Sequence, residues 1–194
     1  MPKTHKKFTL ATITLNNIQG VVETYNSVQS QTLKDYEWLV QDGGSTDETL
    51  EFIKTTPAIT QSTSDNGIYD AMNRLIERSN GEYILFLNAG DTLATPQTLE
   101  IISKNLEETP DFIYGDALEH VQNANINVKT ARNHKHIALG MFTHHQSMLY
   151  KTSCIGDLRY NETYTIAADY DFTARFLQQT KNVKYIPAPI CIFE

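Results

Sequence analysis

Three short segments of the sequence set carboxylates beside glycines or amides where the chain is expected to turn, and a fourth sets two carboxylates at a helix start. Gln41-Asp42-Gly43-Gly44-Ser45-Thr46-Asp47 places an aspartate able to accept hydrogen bonds from a base or ribose before two glycines that let backbone approach a ligand. The plain structural alternative is a tight turn with Asp47 at a helix start. Leu87-Asn88-Ala89-Gly90-Asp91 offers hard oxygen ligands for Mg²⁺ or Mn²⁺, and one carboxylate suffices when phosphates and waters complete the shell. Its alternative is a polar turn. In Ser64-Asp65-Asn66-Gly67-Ile68-Tyr69-Asp70-Ala71-Met72-Asn73, a glycine at a helix start could present N–H groups to an anion. Asp70 and Asn73 share a face there, with capping and buried anchoring as their structural readings. Ala167-Ala168-Asp169-Tyr170-Asp171-Phe172 carries two carboxylates at a helix start, where a base for an attacking hydroxyl could sit; such carboxylates also occur without that task.

His144 and His145 lack a third ligand at zinc spacing, and His134 and His136 form no set, so they read as polar loop or substrate contacts. Arg175 is spaced to pair with Asp171.

The elements that must hold these segments alternate. Phe8–Thr14, Glu37–Gln41, Ala58–Ser62 and Tyr83–Leu87 read as strands. Between them, Gln19–Gln31, Asp47–Lys54 (opened by Ser45 or Thr46 as N-cap) and Ile68–Arg78 read as helices. Pro96 opens another helix with Leu99, Ile102, Ser103 and Leu106 on one side. The second half is less regular: strands at 112–114, 146–150 and 183–186, a helix over Ala167–Gln179, and a small antiparallel excursion from 118–121 and 126–130. Such alternation predicts an α/β fold with a mostly parallel sheet flanked by helices. Ligands then bind outside the carboxyl ends of the strands, so Leu15-Asn16-Asn17, the Asp42 segment and the Asn88 segment should converge at one edge.

Length fits a single domain over 1–194, and the apolar ending Cys191-Ile192-Phe193-Glu194 suggests a chain truncated at its C-terminus. A net charge of −7 argues against nonspecific nucleic-acid binding; if the ligand is a phosphate ester, something local must offset the repulsion, and a divalent cation held by carboxylates is the economical answer. Two cysteines without ligand spacing fit a reduced, cytoplasmic setting. Lys3, Lys6 and Lys7 precede too short and Thr-rich an apolar stretch for a secretory signal, and no run is long enough to span a membrane.

Taken in order, the Asp42–Asp47, Ser64–Asn73 and Asn88–Asp91 segments resemble those of the family 2 glycosyltransferases with the GT-A (Rossmann-like) fold, most closely bacterial members that build surface polysaccharides. The resemblance covers Phe8 to about Phe176. It implies an inverting transfer of a sugar from a UDP-, GDP- or dTDP-sugar to a saccharide or lipid-linked hydroxyl, with Mg²⁺ or Mn²⁺. It assigns Thr14, Asn16, Asp42, Gly43, Asp65 and Asn73 to the nucleotide, Asp91 to the metal and Asp169 to the catalytic base. Asn88, Asp171 and His145 are secondary candidates. The metal triplet reads Asn-Ala-Gly-Asp, so Asp91 is its only carboxylate, and Ala167-Ala168 stand where relatives often carry Gly-Glu. A lipid-linked acceptor would allow peripheral attachment to the inner membrane face. The sequence does not disclose oligomeric state. Two rivals remain: a catalytically inactive nucleotide-sugar-binding or assembly subunit, and a metal-dependent phosphotransferase or phosphohydrolase. The second lacks both a G-x-x-x-x-G-K-[ST] loop and an Asp two residues after Asp42. Without G-x-G-x-x-G, dinucleotide oxidoreduction is excluded.

Overall fold

Side-chain alternation along the first strand sets up two buried faces. Phe8 and Leu10 of β1 (Phe8–Thr14) enter one hydrophobic layer and Ala11 the other. Tyr83 and Leu85 of β4 (Tyr83–Phe86) likewise oppose Ile84 and Phe86. Apolar residues on both faces are what a sheet covered by helices on each side requires. The structure, a computed structural model, describes residues 6–121 and 125–193, which leaves Lys3 and Glu194 outside the described residues.

Around β1 and β4 stand β2 (Tyr36–Asp42) and β3 (Ile59–Ser62), all four parallel, in the order β3-β2-β1-β4. Their crossovers are α1 (Ile18–Gln29), α2 (Thr49–Lys54) and α3 (Ile68–Arg78). The sheet continues beyond β4. After β5 (Thr92–Leu93), α4 (Thr98–Ser103), β6 (Phe112–Val121) and β7 (Asn125–Lys129) come β8 (Met148–Lys151), α5 (Thr152–Ile155), α6 (Ala168–Gln179) and β9 (Val183–Phe193). The full order is β3-β2-β1-β4-β8-β6-β9-β5, with β7 on β6. Six strands point one way; β5, β7 and β8 run against them. This is the mostly parallel sheet with an antiparallel excursion that the sequence leads one to expect.

The helix after Pro96 opens only at Thr98, and the strand expected from residue 146 begins at Met148, behind the 145–147 turn; three further expectations change. The last strand does not stop at Ile186 but runs through Pro187 and Pro189 to Phe193. Prolines remove ladder donors, and the partner strand absorbs this by shifting register on both sides of Asp116. Gly115 permits the approach, because a Cβ there would lie 2.7 Å from the Ala188 carbonyl oxygen. The stretch read as two pieces, 112–114 and 118–121, is therefore the single strand β6. Finally, α2 is not capped by Ser45 or Thr46: it starts at Thr49, whose N–H is met by Asp47 Oδ1 at 3.0 Å, while the Ser45 hydroxyl is committed to Asp42.

Candidate active site

Register brings the polar segments together. Thr14 lies opposite Asp42 and Ala11 opposite Phe86, and Ala89 N–H bonds the Ile13 carbonyl at 3.1 Å. The carboxyl ends of β1, β2 and β4 thus share one edge. β8 runs antiparallel to β4, so the turn that precedes it, residues 145–147, reaches the same edge. The expected convergence is present.

The loops are braced from below. Asp42 is fully buried; its carboxylate accepts the Ser45 N–H at 3.2 Å and the Ser45 and Ser62 hydroxyls at 2.5 Å each. Ser45 Oγ in turn accepts the Asn16 N–H at 2.8 Å, and Asn16 Oδ1 accepts the Thr46 N–H at 2.8 Å. Asn16 has φ +49°, a left-handed conformation that asparagine tolerates. Gly43 is needed for a close approach: a Cβ there would lie 2.8 Å from Asp65 Oδ2. Asp65 Oδ1 also accepts the Gly67 N–H at 3.1 Å, fixing the entry to α3.

Between these loops is a cavity of about 280 Å³ lined by Thr14, Asn17, Asp65, Ile68, Asn88 and Ala89, among others. The buried Thr14 Oγ1 and Asn88 Oδ1 have no hydrogen-bond partner among the described residues. Buried polar atoms in folded proteins are normally paired; Thr14 and Asn88 both line this cavity, with these two oxygens themselves closed off from solvent. A larger hollow of about 640 Å³ lies at the opposite end of the sheet, around Lys6, Asp35, Gly81 and Thr152, away from this chemistry.

The Asn88–Asp91 turn is held by α1. Thr24 Oγ1 donates to the carbonyls of Asp91 (2.8 Å) and Asn88 (3.2 Å) and accepts the Gly90 N–H at 3.1 Å. Gly20 must be glycine, because a Cβ there would come within 2.8 Å of Gly90 N. Asp91 Oδ2 accepts Gln146 Nε2 at 2.7 Å. Among the described residues no three His, Cys, Asp or Glu side chains gather as a metal cage. The hard oxygens of Asp91 and Asn88 fit a cation that shares its shell with phosphate and water.

Asp169 lies in the first turn of α6, half-buried, where Ala167 enters the helix at φ +68°. Its charge reaches the half-buried His144 and the buried His145, Tyr150 and Tyr160. The Tyr69 hydroxyl, at the start of α3, accepts the Ala168 N–H at 3.2 Å, which ties α6 to the cavity-lining helix. His145 Nε2 is hydrogen-bonded to the Tyr160 hydroxyl at 3.0 Å, and its ring stacks on Phe86. Burial pushes the His145 pKa below its ordinary value despite the Asp169 charge, so His145 supports the site as a neutral ring.

Two candidates are engaged elsewhere. Asn73 donates to the Tyr160 carbonyl and to Glu162, each at 3.0 Å, and accepts the Tyr160 N–H at 2.8 Å. It is the buried anchor that holds residues 160–162 to α3. Asp171 pairs with Arg175 at 2.5 Å, as the spacing suggests, and, like Asp42, Asp91 and Asp169, is not among the residues lining the cavity. Asp70 caps rather than lines: it accepts the Asn66 N–H and pairs with Arg74, and these bonds lower its pKa. Gln146, by contrast, is brought into the site without having been singled out. Its only signal in the sequence is a polar run, 144–147, leading into an apolar strand.

Residues 9–180 match Glycosyl transferase family 2. A PGL/p-HBAD biosynthesis glycosyltransferase of Mycobacterium bovis (strain BCG / Pasteur 1173P2) is 31% identical over 177 residues, covering 87% of this chain and 68% of that protein. S. aureus TarS 1-349, solved in complex with UDP, superposes with a TM-score of 0.81 at 20% identity, over 96% of this chain and 60% of that one. A mannosyltransferase from Pyrobaculum calidifontis, solved with GDP-Man and Mn²⁺, gives a TM-score of 0.71 at 16% identity, over 98% of this chain and 57% of its own. These likenesses show the GT-A fold. The chain spans about three-fifths of the length of those two solved structures.

Proposed function

The chain belongs to the family 2 glycosyltransferases, and on that premise we propose that it transfers a sugar, with inversion, from a nucleoside diphosphate-sugar to an acceptor hydroxyl. The observation that carries this reading is the meeting of Thr14, Asp65 and Asn88 on one cavity at the carboxyl edge of the parallel strands. Nucleoside diphosphates in neighbouring structures of the same fold support it.

Thr14, Asn16, Gly43 and Asp65 then contact base and ribose, and Asp42 shapes their seat through Ser45 and Ser62. Asp91 would hold the cation. Bound Mg²⁺ or Mn²⁺ supplies Lewis-acid stabilisation of the leaving diphosphate, typically several kcal/mol. Asp169 accepts the acceptor's proton as its oxygen attacks the anomeric carbon; the carbon–oxygen bond to the diphosphate breaks, and its electron pair leaves with the phosphate oxygen. No covalent glycosyl-enzyme forms. Asn73 and His145 keep α3, the 160–162 segment and the 145–147 turn in register around this centre.

Acceptors in polysaccharide or glycolipid synthesis fit the mycobacterial likeness. A cytoplasmic location is supported by two free thiols, Cys154 and Cys191; among the described residues no helix is long and apolar enough to cross a membrane. A lipid-linked acceptor would bring the protein to the membrane surface peripherally. The test is a thermal-shift screen of UDP-, GDP- and dTDP-sugars with and without Mn²⁺. A ligand at 100 times its Kd stabilises by about 2.7 kcal/mol, so one nucleotide class should raise Tm by several degrees, more with Mn²⁺. No shift with any class would reject the reading.

A further inference from the structure

We infer that Gln146 is a positioning residue that aims the Asp91 carboxylate at the cation, an inference that rests on the transferase reading above. Gln146 is only 6% exposed. Its Nε2 donates to Asp91 Oδ2 at 2.7 Å, whereas its Oε1 is buried and has no partner among the described residues. Rotating the amide by half a turn would set an acceptor against an acceptor. Asp91 therefore dictates the amide orientation and leaves Oε1 stranded. A buried carbonyl without a donor costs about 1–3 kcal/mol, which an apolar side chain of similar size would avoid. The arrangement is explained if holding Asp91 matters more than satisfying Gln146.

The flanking residues leave Gln146 no slack. His145 is stacked on Phe86 and bonded to Tyr160. On the other side, the Ser147 hydroxyl bonds the Asp116 carbonyl at 2.8 Å and lies 3.1 Å from Cys191 Sγ. Asp91 is thus gripped from two separate elements: Thr24 of α1 holds its carbonyl, and the 145–147 turn holds its carboxylate. A polar turn alone requires neither. Metal-binding carboxylates are commonly oriented by such outer partners, and losing one costs about 10- to 100-fold in metal affinity or activity.

The test uses Gln146→Met and Gln146→Asn in the full chain, with Mn²⁺ binding followed by electron paramagnetic resonance in the presence of UDP, GDP and dTDP in turn. Met keeps the bulk without the donor; Asn keeps the amide but falls short of Asp91. Both should weaken Mn²⁺ binding at least roughly tenfold, with Tm within a few degrees of the parent and nucleotide binding without metal unchanged. Affinity within twofold of the parent in either folded variant overturns the inference while leaving the transferase reading intact. If the parent itself binds no Mn²⁺ with any nucleotide, the metal role of Asp91 and this inference fall together.

Discussion

Gly43→Ala separates binding from folding more cleanly than any other single change in the site. The new Cβ would lie 2.8 Å from Asp65 Oδ2, and ordinary contact begins at 3.4 Å, so the carboxylate must retreat by about 0.6 Å. The obstructing atom is the end of a side chain and not backbone, and Gly43 is not among the residues with positive φ. Folding should therefore tolerate the methyl, with the reduced freedom of the unfolded chain contributing about 0.4–1 kcal/mol in its favour. Asp65 Oδ2, however, leaves the position from which it would accept a hydrogen bond from the bound donor. A hydrogen bond to a charged group is worth about 1.5–3 kcal/mol, or roughly 10- to 100-fold in donor affinity. The assay pairs donor KM in a transfer reaction with Tm from calorimetry. The expected result is a donor KM raised about tenfold or more at nearly constant Tm. An unchanged KM would refute the placement of Asp65 on the donor, and a collapsed Tm would refute the claim that the side chain can give way.

Three further changes probe the supports. Gly81→Ala would set a Cβ 2.4 Å from Thr9 N, a backbone atom that cannot yield, so denaturant melts should show a loss of about 1–3 kcal/mol or more with donor affinity of the folded fraction intact. Asn73→Ala strands the buried Tyr160 N–H and releases residues 160–162; about 1–3 kcal/mol of stability should go, read as a lower urea midpoint. His144, stacked on Phe193, is held by burial down to about 4 from 6.5. The unfolded chain then binds more protons between those values, so stability is full above about pH 6.5 and falls as pH drops towards 4. Melting curves across that window should be flatter for His144→Phe than for the parent.

Much of this architecture is legible in the sequence because its signals are local. Of Ile68, Ala71, Met72, Leu75 and Ile76, whose spacing marks the apolar face of α3, the last four are buried, whereas Ile68 at the helix start is 59% exposed. The continuous apolar run 83–87 marks a central strand, and the Gly-rich turns after β2 and β4 mark the ligand edge. What stayed hidden depends on partners far away in the chain. Pro187 and Pro189 read as a strand end until Gly115 and the irregular register of β6 are seen to accommodate them. Strand β5 is two residues long and exists only because β9 lies beside it. Ser45 looks like a helix cap, but the buried charge of Asp42 is the stronger claimant on its hydroxyl. Nothing near Gln146 in sequence announces Asp91, 55 residues earlier, as its partner.

The roles assigned to Asp91 and Asp169 meet most directly in one paired measurement: sugar transfer and nucleotide binding by Asp91→Ala and Asp169→Asn in the full-length protein. Both variants should lose transfer; Asp169→Asn should keep the parent's nucleotide affinity in the presence of Mn²⁺, while Asp91→Ala should lose the metal's contribution to it. Transfer at the parent's rate by either variant would contradict the account.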